Sequence, residues 1–393
     1  MNTKNENQIE PASESRALLA ELRRRAPQMT RTLARFVRAE SPSTNKPALD
    51  RLARIVAAEW RRRGASVRIL RCAVAGDQVR VEWRPAGSRG KAPILLLGHL
   101  DTVYELGTLE KTPFRIRGGR AFGPGTFDMK SGLVIALYAI EALRALGLRP
   151  RRPIVGLWTS DEEIGSRSSR AIIERQARAS CAALVLEPAG GVRGALKTAR
   201  KGVGEVTLEV TGRSAHAGLD PQSGINAILE LSLQLARLQR FNQPGQGVTV
   251  SAGVIQGGTR SNVVPDRAMA LIDLRAPTLG AMRSLERSLR ALRPILPGAK
   301  LSVRGGFNRA PLEPRMSKAL YARASRVARG MGLKVEQSAV GGGSDGNFTA
   351  AIGVPTLDGM GGVGGGAHTP GEFVLLRSLP ERAALLAALL LEL

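Results

Sequence analysis

The chain has 393 residues, 43% of them hydrophobic, and a formal net charge of +25. This length exceeds one ordinary core and predicts two domains, and the hydrophobic content excludes a largely disordered chain. No apolar stretch is long enough to cross a bilayer, and the polar start shows no secretory signal. The positive residues are scattered and aromatic residues make up only 4%, so we expect neither a nucleic-acid nor a membrane partner.

Cysteine usage indicates the compartment. Cys72 and Cys181 are the only two cysteines, and they lie far apart without the spacing of a metal site. A disulfide framework is therefore not expected, and the composition favours a reducing cytoplasm.

Strand-like and helical patterns alternate over the first two hundred residues. Apolar residues at helical spacing predict helices over residues 15–40, 45–64, 129–147 and 168–179. Strand-like or continuous apolar runs predict strands over residues 66–74, 78–85, 92–98, 151–160 and 181–188. This alternation predicts an α/β fold with a mostly parallel central sheet.

The pattern changes near residue 200. Strands with one wet face are predicted over residues 202–214, 247–258, 267–276 and 299–306, and amphipathic helices over 224–241 and 279–295. The α/β pattern then resumes, with a helix over 317–332, an apolar run over 353–359 and a C-terminal helix. We therefore expect a catalytic domain made of residues 1–198 and 308–393, interrupted by an inserted α+β sandwich over residues 199–307.

His99 directly follows the apolar run of residues 92–98, at the carboxyl end of a predicted strand. Asp101 is two residues further on, and positions i and i+2 of an extended chain point the same way. Asp101 can therefore reach the ring nitrogen of His99 that does not bind a metal. Taken alone, a histidine at a strand end is more often structural.

Carboxylates occupy equivalent places elsewhere in the chain. Glu162 and Glu163 follow one predicted strand, and Glu187 ends another. Asp128 lies in a glycine-punctuated loop that opens a helix, and His368 lies in the glycine-rich stretch GGGAHTPGE. Ligands of open α/β sheets collect beyond the carboxyl ends of the strands, so the joint pattern indicates one site. Any single acid at such a place is more often an ordinary loop or cap residue.

Bound cations would offset the repulsion between neighbouring carboxylates such as Glu162 and Glu163. Two histidines and three carboxylates form two sites of imidazole plus carboxylate if one acid bridges: His99, His368, Asp128, Glu163 and Glu187. This chemistry suits two zinc ions, with cobalt or manganese as substitutes. Two such ions clamp a bridging water and lower its pKa. Glu162, beside Glu163 but off the metal, would be the general base that passes the water's proton to the leaving amine.

With these positions in place, the sequence resembles the co-catalytic dizinc hydrolases. That family includes glutamate carboxypeptidase, acetylornithine deacetylase, succinyl-diaminopimelate desuccinylase and the aminoacylases. The matching stretches span almost the whole chain: LLLGHLDTV, GPGTFDMKSGL, TSDEEIGS, LVLEP, GRSAHAG, NVVPD followed by DLR, and GGGAHTPGE.

The resemblance implies two zinc sites with these ligands: His99 and Glu187 on one ion, Glu163 and His368 on the other, and Asp128 between them. It also implies that Asp101 orients His99 and that Glu162 is the base. Glutamate at position 187 resembles the glutamate carboxypeptidase branch. Ser131 stands where glycine is more usual, which casts little doubt on the ligands.

The resemblance gives the inserted domain a lid and dimerisation role. It implies that His216 reaches across a homodimer into the partner's active site and helps to stabilise the oxyanion. Asn262 and Arg275 resemble the groups that hold the free carboxylate of the substrate. Without the resemblance, Asn262 is an ordinary turn residue and Arg275 one more surface arginine. Further candidates for the pocket lining are Lys201, Gly343 and Ser344.

The expected function is zinc-dependent cleavage of an amide bond through a metal-bridging water. The reaction releases a C-terminal amino acid from a small peptidyl or acyl substrate. Glutamate is the amino acid that we expect first. An alternative keeps the chemistry and makes the protein an N-acyl-amino-acid deacylase. A third reading, from another class, is a non-catalytic basic protein that holds no stoichiometric metal and binds nucleic acid in a salt-sensitive way.

Overall fold

The structure is a computed structural model that describes residues 11–393. The first ten residues, on which the predicted lack of a secretory signal rests, lie outside this range. The chain divides into two compact units. The first unit comprises residues 11–199, Pro314–Ala339 and Ser344–Leu393, and the second comprises Arg200–Glu313 and Val340–Gly343. The domain roles assigned from the sequence, with boundaries at residues 198 and 307, stay a prediction.

The N-terminal part of the chain alternates helices and strands. Its elements are α1 Pro11–Arg24, α2 Ala26–Arg38, α3 Lys46–Arg62, β1 Ser66–Leu70, β2 Gln78–Trp83, β3 Ile94–His99, α4 Thr108–Lys111, β4 Arg115–Arg117, β5 Arg120–Phe122, α5 Ser131–Ala145, β6 Ile154–Thr159, α6 Arg170–Arg178, β7 Ala182–Val185 and β8 Leu196–Arg200. The segment predicted as one helix over 15–40 forms two, because a new helix begins after Arg25 with a proline in its first turn.

The second unit is built on an antiparallel sheet. Its elements are β9 Gly202–Thr211, β10 Ala215–His216, α7 Ala227–Leu238, β11 Thr249–Gly257, β12 Val263–Val264, β13 Arg267–Ala276, α8 Leu279–Arg290 and β14 Lys300–Arg309. The four long strands lie in the order β11-β13-β9-β14. Buried and more exposed residues alternate along β9 and β13. This confirms the prediction that these two strands have one buried and one solvent-facing side. Side chains from α7 and α8 cover the buried face and form the core of this unit.

The C-terminal part of the chain returns to helices and short strands. Its elements are α9 Pro314–Gly330, β15 Gln337–Val340, α10 Gly346–Ala351, β16 Thr356–Leu357, β17 Gly364–Gly365, β18 Phe373–Leu375 and α11 Ser378–Glu392. None of the helices within residues 11–393 combines the length and the apolar character that a bilayer span requires. Cys72 and Cys181 are both free thiols.

The central sheet of the first unit has the strand order β1-β2-β6-β3-β7-β16. Strands β6, β3, β7 and β16 are parallel to one another, and β1 and β2 form an antiparallel edge. All residues of β3 and β6 are buried, since apolar clusters cover both faces of the sheet. This confirms the predicted α/β fold with a mostly parallel sheet.

A second, smaller sheet of the first unit has the order β17-β18-β5-β4. The loop that follows β5 runs into α5, and the loop between β17 and β18 comprises residues 366–372 of the glycine-rich stretch. Because β18 pairs with both β5 and β17, these two loops leave neighbouring strands. The small sheet therefore brings two segments that are remote in sequence to one place.

Candidate metal centre and active site

Three neighbouring parallel strands deliver the first residues of the site. His99 is the last residue of β3, Glu162 and Glu163 form a short helical turn after β6, and Glu187 follows β7 by two residues. The strand order places β3 between β6 and β7, so the three carboxyl ends meet at one edge of the sheet. The loops from the small sheet add Asp128 and His368.

The side chains of these residues converge. His99 Nε2 lies 3.4 Å from Asp128 Oδ1 and 3.5 Å from Glu187 Oε1. His368 Nε2 lies 3.4 Å from Asp128 Oδ2 and 3.3 Å from Glu163 Oε1. Each carboxylate oxygen of Asp128 therefore faces a different imidazole. The five predicted metal ligands form two histidine–carboxylate groups that share one aspartate.

These distances fit a divalent cation. Ligand atoms placed tetrahedrally about zinc, at bond lengths of about 2.0–2.2 Å, lie about 3.3–3.6 Å from one another. Asp128 Oδ1 and Glu163 Oε1 are buried, and neither accepts a hydrogen bond from any residue in the range 11–393. A buried carboxylate oxygen without a donor is costly unless it meets a cation. The donor set therefore fits zinc or a similar ion, and the ligand roles of single residues stay a prediction.

Asp101 fixes the orientation of His99. His99 Nδ1 lies 2.9 Å from the main-chain oxygen of Asp101 and 3.3 Å from its Oδ1. A carbonyl oxygen only accepts, so Nδ1 carries a proton, and Nε2 is the ring nitrogen that faces Asp128 and Glu187. The sequence predicted the carboxylate in this role, whereas the main-chain oxygen makes the shorter contact.

The carboxylate of Asp101 has further partners. Its Oδ2 accepts hydrogen bonds from Ser43 Oγ at 2.8 Å and from the Glu163 amide at 3.1 Å, and its Oδ1 accepts one from the Glu162 amide at 3.2 Å. This buried carboxylate thus ties the end of β3 to the turn that carries the candidate base. A carboxylate oxygen of Glu162 lies within 4.8 Å of the ligand atoms of His99 and Glu187.

Asp161, which directly precedes Glu162 and Glu163 in the sequence, has a structural role. Its Oδ2 accepts hydrogen bonds from the amide of Ser168 at 2.7 Å and from its hydroxyl at 2.8 Å, and its main-chain oxygen accepts one from the Ser166 amide at 2.7 Å. The three consecutive acids thus have different surroundings: Asp161 holds the turn, Glu162 lies beside His99 and Glu187, and Glu163 faces His368.

The electrostatics of the site favour positive charge. The neighbouring carboxylates of Asp128 and Glu163 raise the pKa of His368 to about 10. Burial lowers the pKa of His99, but Asp101, Asp128 and Glu187 outweigh it and hold that pKa well above its usual range. Carboxylates that hold protons on imidazoles so firmly will equally stabilise a cation in their place. His99 closes the site on its buried side, and the half-exposed His368 lies on the side open to solvent.

The second unit carries five of the remaining candidates, all except Ser344. His216 is exposed and lies on β10. This strand pairs with β12, which begins directly after Asn262. His216 Nδ1 accepts hydrogen bonds from the amides of Gly218 at 3.2 Å and Leu219 at 3.1 Å. Nδ1 is thus the acceptor, so the neutral ring carries its proton on Nε2 and offers a donor there. The Asn262 main-chain oxygen accepts a hydrogen bond from the amide of Ala217 at 2.9 Å, which joins the end of β10 to the start of β12.

Arg275 has a local partner in the structure. Its Nε and Nη2 donate to the two carboxylate oxygens of Asp273 at 2.9 and 2.8 Å, and its Nη1 donates to the Gly341 oxygen at 3.3 Å. This is the bidentate geometry that a substrate carboxylate would also need. A substrate role for Arg275, which stays a prediction, therefore requires sharing or exchange with Asp273.

Lys201, Gly343 and Ser344 each have defined contacts within their own unit. The Lys201 amide donates to the Val340 oxygen at 3.1 Å, and a side chain at Gly343 would meet Val203 Cγ2 at 2.9 Å. A side chain at 343 would therefore force Val203 to shift. Ser344 is fully buried and its hydroxyl donates to Asp358 at 2.6 Å, so its side chain braces the first unit. Substrate contacts of these three residues stay a prediction.

One group near the metal centre was missed from the sequence. Glu372 is 1% exposed and accepts hydrogen bonds from the loop that carries Asp128. It is the last residue of the stretch GGGAHTPGE, four residues after His368. An acid inside a glycine-rich ligand loop was the available signal, although sequence alone does not show that it is buried.

Comparisons with known proteins place these features in context. A profile of peptidase family M20/M25/M40 matches residues 95–392. Carboxypeptidase G2 from Pseudomonas sp. (strain RS-16) is 29% identical over 379 residues, which cover 93% of this chain and 89% of that protein. Succinyl-diaminopimelate desuccinylase from Dechloromonas aromatica is 29% identical over 323 residues, 77% of this chain and 84% of that protein. The crystal structure of aminopeptidase PepT from Bacillus cereus has the same fold, with a TM-score of 0.77 at 20% identity, covering 93% of this chain and 98% of that one.

Proposed function

Because the chain belongs to peptidase family M20/M25/M40 and is a metal-dependent hydrolase, we propose that it uses two zinc ions to release a C-terminal amino acid from a peptidyl or acyl group. Glutamate is the proposed leaving amino acid. The observation that carries this proposal is the Asp128 carboxylate, whose two oxygens each lie 3.4 Å from a different histidine. The similarity to carboxypeptidase G2 over 93% of the chain supports a carboxypeptidase reaction.

The proposed ligands are His99 and Glu187 for one ion, Glu163 and His368 for the other, and Asp128 for both. Ions bound there supply Lewis acidity, which polarises an amide carbonyl and lowers the pKa of water. Glu162 accepts the proton of the attacking water and transfers it to the nitrogen of the leaving amine. Asp101 keeps the proton of His99 on Nδ1, so that Nε2 remains a lone-pair donor. The products are a carboxylic acid and a free amino acid.

His216 is proposed to donate from Nε2 to the oxyanion that develops in the active site of a second copy of this chain. Its Nδ1 is held as an acceptor by two main-chain amides, which supports this direction of the hydrogen bond. Asn262, Arg275 and Lys201 are proposed to hold the carboxylate of the substrate.

The homodimer is proposed to form through the second unit, in the lid and dimerisation role predicted for the inserted domain. Strand β11 is an edge strand of its sheet, and it exposes Val254 and Ile255 at 43% and 56%. The neighbouring helix α7 exposes Ile228 and Leu229 at 37% and 49%. An exposed apolar edge strand invites pairing, and a second copy is a natural partner for it. Ile255→Lys should therefore turn the dimer into monomers in sedimentation velocity, and a wild-type monomer would contradict the proposal.

A second candidate function is an N-acyl-amino-acid deacylase. The similarity to succinyl-diaminopimelate desuccinylase over 77% of the chain favours it. Both reactions break an amide bond, so the geometry of the metal centre serves either one. The cytoplasmic location favoured by the cysteine usage stays a prediction.

A hydrolysis panel tests the proposal. Purified protein, loaded in turn with zinc, cobalt or manganese, is assayed on peptidyl- and aroyl-glutamates, on the same acyl groups joined to other amino acids, and on N-acetyl and N-succinyl amino acids. The proposal expects the highest kcat/KM on the glutamates. Equal or faster turnover of the N-acetyl or N-succinyl amino acids would favour the deacylase. Protein that holds no stoichiometric metal and hydrolyses none of them would contradict both.

A further inference from the structure

Glu372 lies at a junction of the segments that carry the candidate ligands. Its carboxylate accepts hydrogen bonds from three main-chain amides of one loop: Gly125 at 3.0 Å, Phe127 at 2.7 Å and Asp128 at 2.9 Å. A fourth donor, the hydroxyl of Tyr104, lies 2.6 Å from Oε2. Successive amides wrapped around one buried carboxylate fix the path of the main chain. The loop is therefore held at the residue whose side chain faces both imidazoles.

The same residue connects to the His368 loop. The Glu372 amide donates to the Thr369 oxygen at 3.1 Å, and the Glu372 oxygen accepts from the Gly123 amide at 3.2 Å. The Tyr104 hydroxyl also lies 2.9 Å from the Thr369 oxygen. Tyr104 itself follows Asp101 by three residues. One buried carboxylate thus ties together the segments that carry Asp101, Asp128 and His368.

Glu372 differs from the candidate ligands in its donors. Its two oxygens accept four hydrogen bonds, whereas Asp128 Oδ1 and Glu163 Oε1 accept none from residues 11–393. A carboxylate saturated by amide donors is unsuited to bind a cation directly. It acts on the site through the chain segments that it holds.

We propose that Glu372, together with Tyr104, is a positioning residue that sets the affinity of the metal centre by fixing Asp128 between His99 and His368. This inference rests on the proposed function, because it takes these residues as metal ligands. Partners that hold metal ligands in place typically contribute 10- to 100-fold to metal affinity or activity. Glu372→Gln keeps the size of the side chain, removes its charge and points an amide N–H₂ at main-chain donors.

The chain offers a matched control in the second unit. Glu230 is also fully buried, and it accepts hydrogen bonds from the Ile295 amide at 3.0 Å, from the Leu296 amide at 2.6 Å and from the Gln234 side chain at 2.7 Å. Glu230→Gln makes the same chemical change in a similar set of donors, outside the candidate metal centre. It reports the general cost of neutralising a buried, hydrogen-bonded glutamate.

The test measures zinc binding by competition with a chromophoric chelator, the absorption spectrum of the cobalt-loaded protein, and thermal unfolding with and without zinc. Glu372→Gln should weaken zinc binding about 10- to 100-fold, alter the cobalt spectrum and reduce the rise in Tm that zinc produces. Tyr104→Phe removes the hydroxyl that contacts Glu372 and the Thr369 oxygen, and it should weaken zinc binding about threefold to tenfold. Glu230→Gln should lower Tm equally with and without zinc, and leave zinc affinity and the cobalt spectrum unchanged.

Zinc affinity within twofold of wild type in both Glu372→Gln and Tyr104→Phe would overturn the inference. If Glu372→Gln does not fold, Tyr104→Phe decides alone by the same criterion. Wild-type protein that binds no stoichiometric zinc would instead overturn the proposed function. If the wild-type protein binds zinc tightly and the variants bind it equally well, only the positioning role is overturned.

Discussion

In the first unit, Asp128 and Glu163 direct buried oxygens without hydrogen-bond donors at two imidazoles. In the second unit, His216 and Arg275 each already have local partners, two main-chain amides for the histidine and Asp273 for the arginine. The first arrangement has an excess of acceptors, which a cation relieves. The second is electrostatically balanced and presents donors to solvent. The candidate metal centre is thus already assembled within the first unit, whereas the candidate substrate groups of the second unit are already paired within their own unit.

The largest expected effect comes from Glu162. Glu162→Gln removes the proposed base without removing a metal ligand, so kcat should fall by about 100- to 10,000-fold while both ions stay bound. Metal analysis and steady-state kinetics on the same preparation check this. An active variant would show that Glu162 is not the base, and a variant that loses metal would place it among the ligands.

The next effect concerns the second unit. His216→Ala removes the proposed oxyanion donor and should lower kcat by about 100- to 1,000-fold, without loss of metal. If His216 serves a partner's site, mixing His216→Ala and Glu162→Gln chains should restore about a quarter of wild-type activity, because half of randomly mixed dimers contain one intact site. A proven heterodimer without recovery would restrict His216 to its own chain.

The sequence predicted the parts of the molecule that depend on local pattern. Continuous apolar runs identified β3, β6 and β7. Ligands gather at the carboxyl ends of parallel strands, and this rule placed His99, Glu163 and Glu187 in one predicted site. The strands β4 and β5 have three residues each, too few for a reliable period. They were missed, together with the small sheet that they join.

Contacts between remote segments were not predictable from the pattern. Glu372 binds amides almost 250 positions away in sequence, and no local periodicity encodes that distance. The main-chain oxygen of Asp101 reaches His99 Nδ1 more closely than the predicted carboxylate, because the chain turns after β3 instead of continuing extended. The Asp273–Arg275 pair did carry a signal, since residues i and i+2 of a strand share a face.

A smaller effect is expected at Arg275. If this guanidinium holds the substrate carboxylate, Arg275→Gln should raise KM about tenfold and leave kcat nearly unchanged, since a charged hydrogen bond contributes about 1.5–3 kcal/mol. A substrate with an amidated terminus should be insensitive to the change. If both substrates respond equally, the arginine serves only its pair with Asp273, and the contrast between the units becomes sharper. Asp273→Asn is the matched control, because it frees the guanidinium without removing it.

The smallest effect on activity is expected at Asp77, a buried carboxylate of the first unit that lies outside the metal centre. It accepts hydrogen bonds from Lys46 at 2.9 Å, Arg71 at 3.0 Å and the Cys72 amide at 3.1 Å. Burial raises the pKa of Asp77, but Lys46 and the Cys72 amide lower it by more, so the folded-state pKa lies below the unfolded value. Its stabilisation is therefore present above the unfolded pKa, near 4, and is lost as the pH falls through the folded one.

Asp77→Asn should accordingly reduce the free energy of unfolding by about 1–3 kcal/mol at neutral pH. The difference from wild type should shrink below pH 4, while kcat and metal content at neutral pH stay unchanged. Urea unfolding at several pH values measures the first part. This variant separates two kinds of buried carboxylate in one unit, because Asp77 is saturated by donors whereas Asp128 is not. A loss of metal in Asp77→Asn would show that burial and charge in this unit are coupled more widely than the contacts of the metal centre indicate.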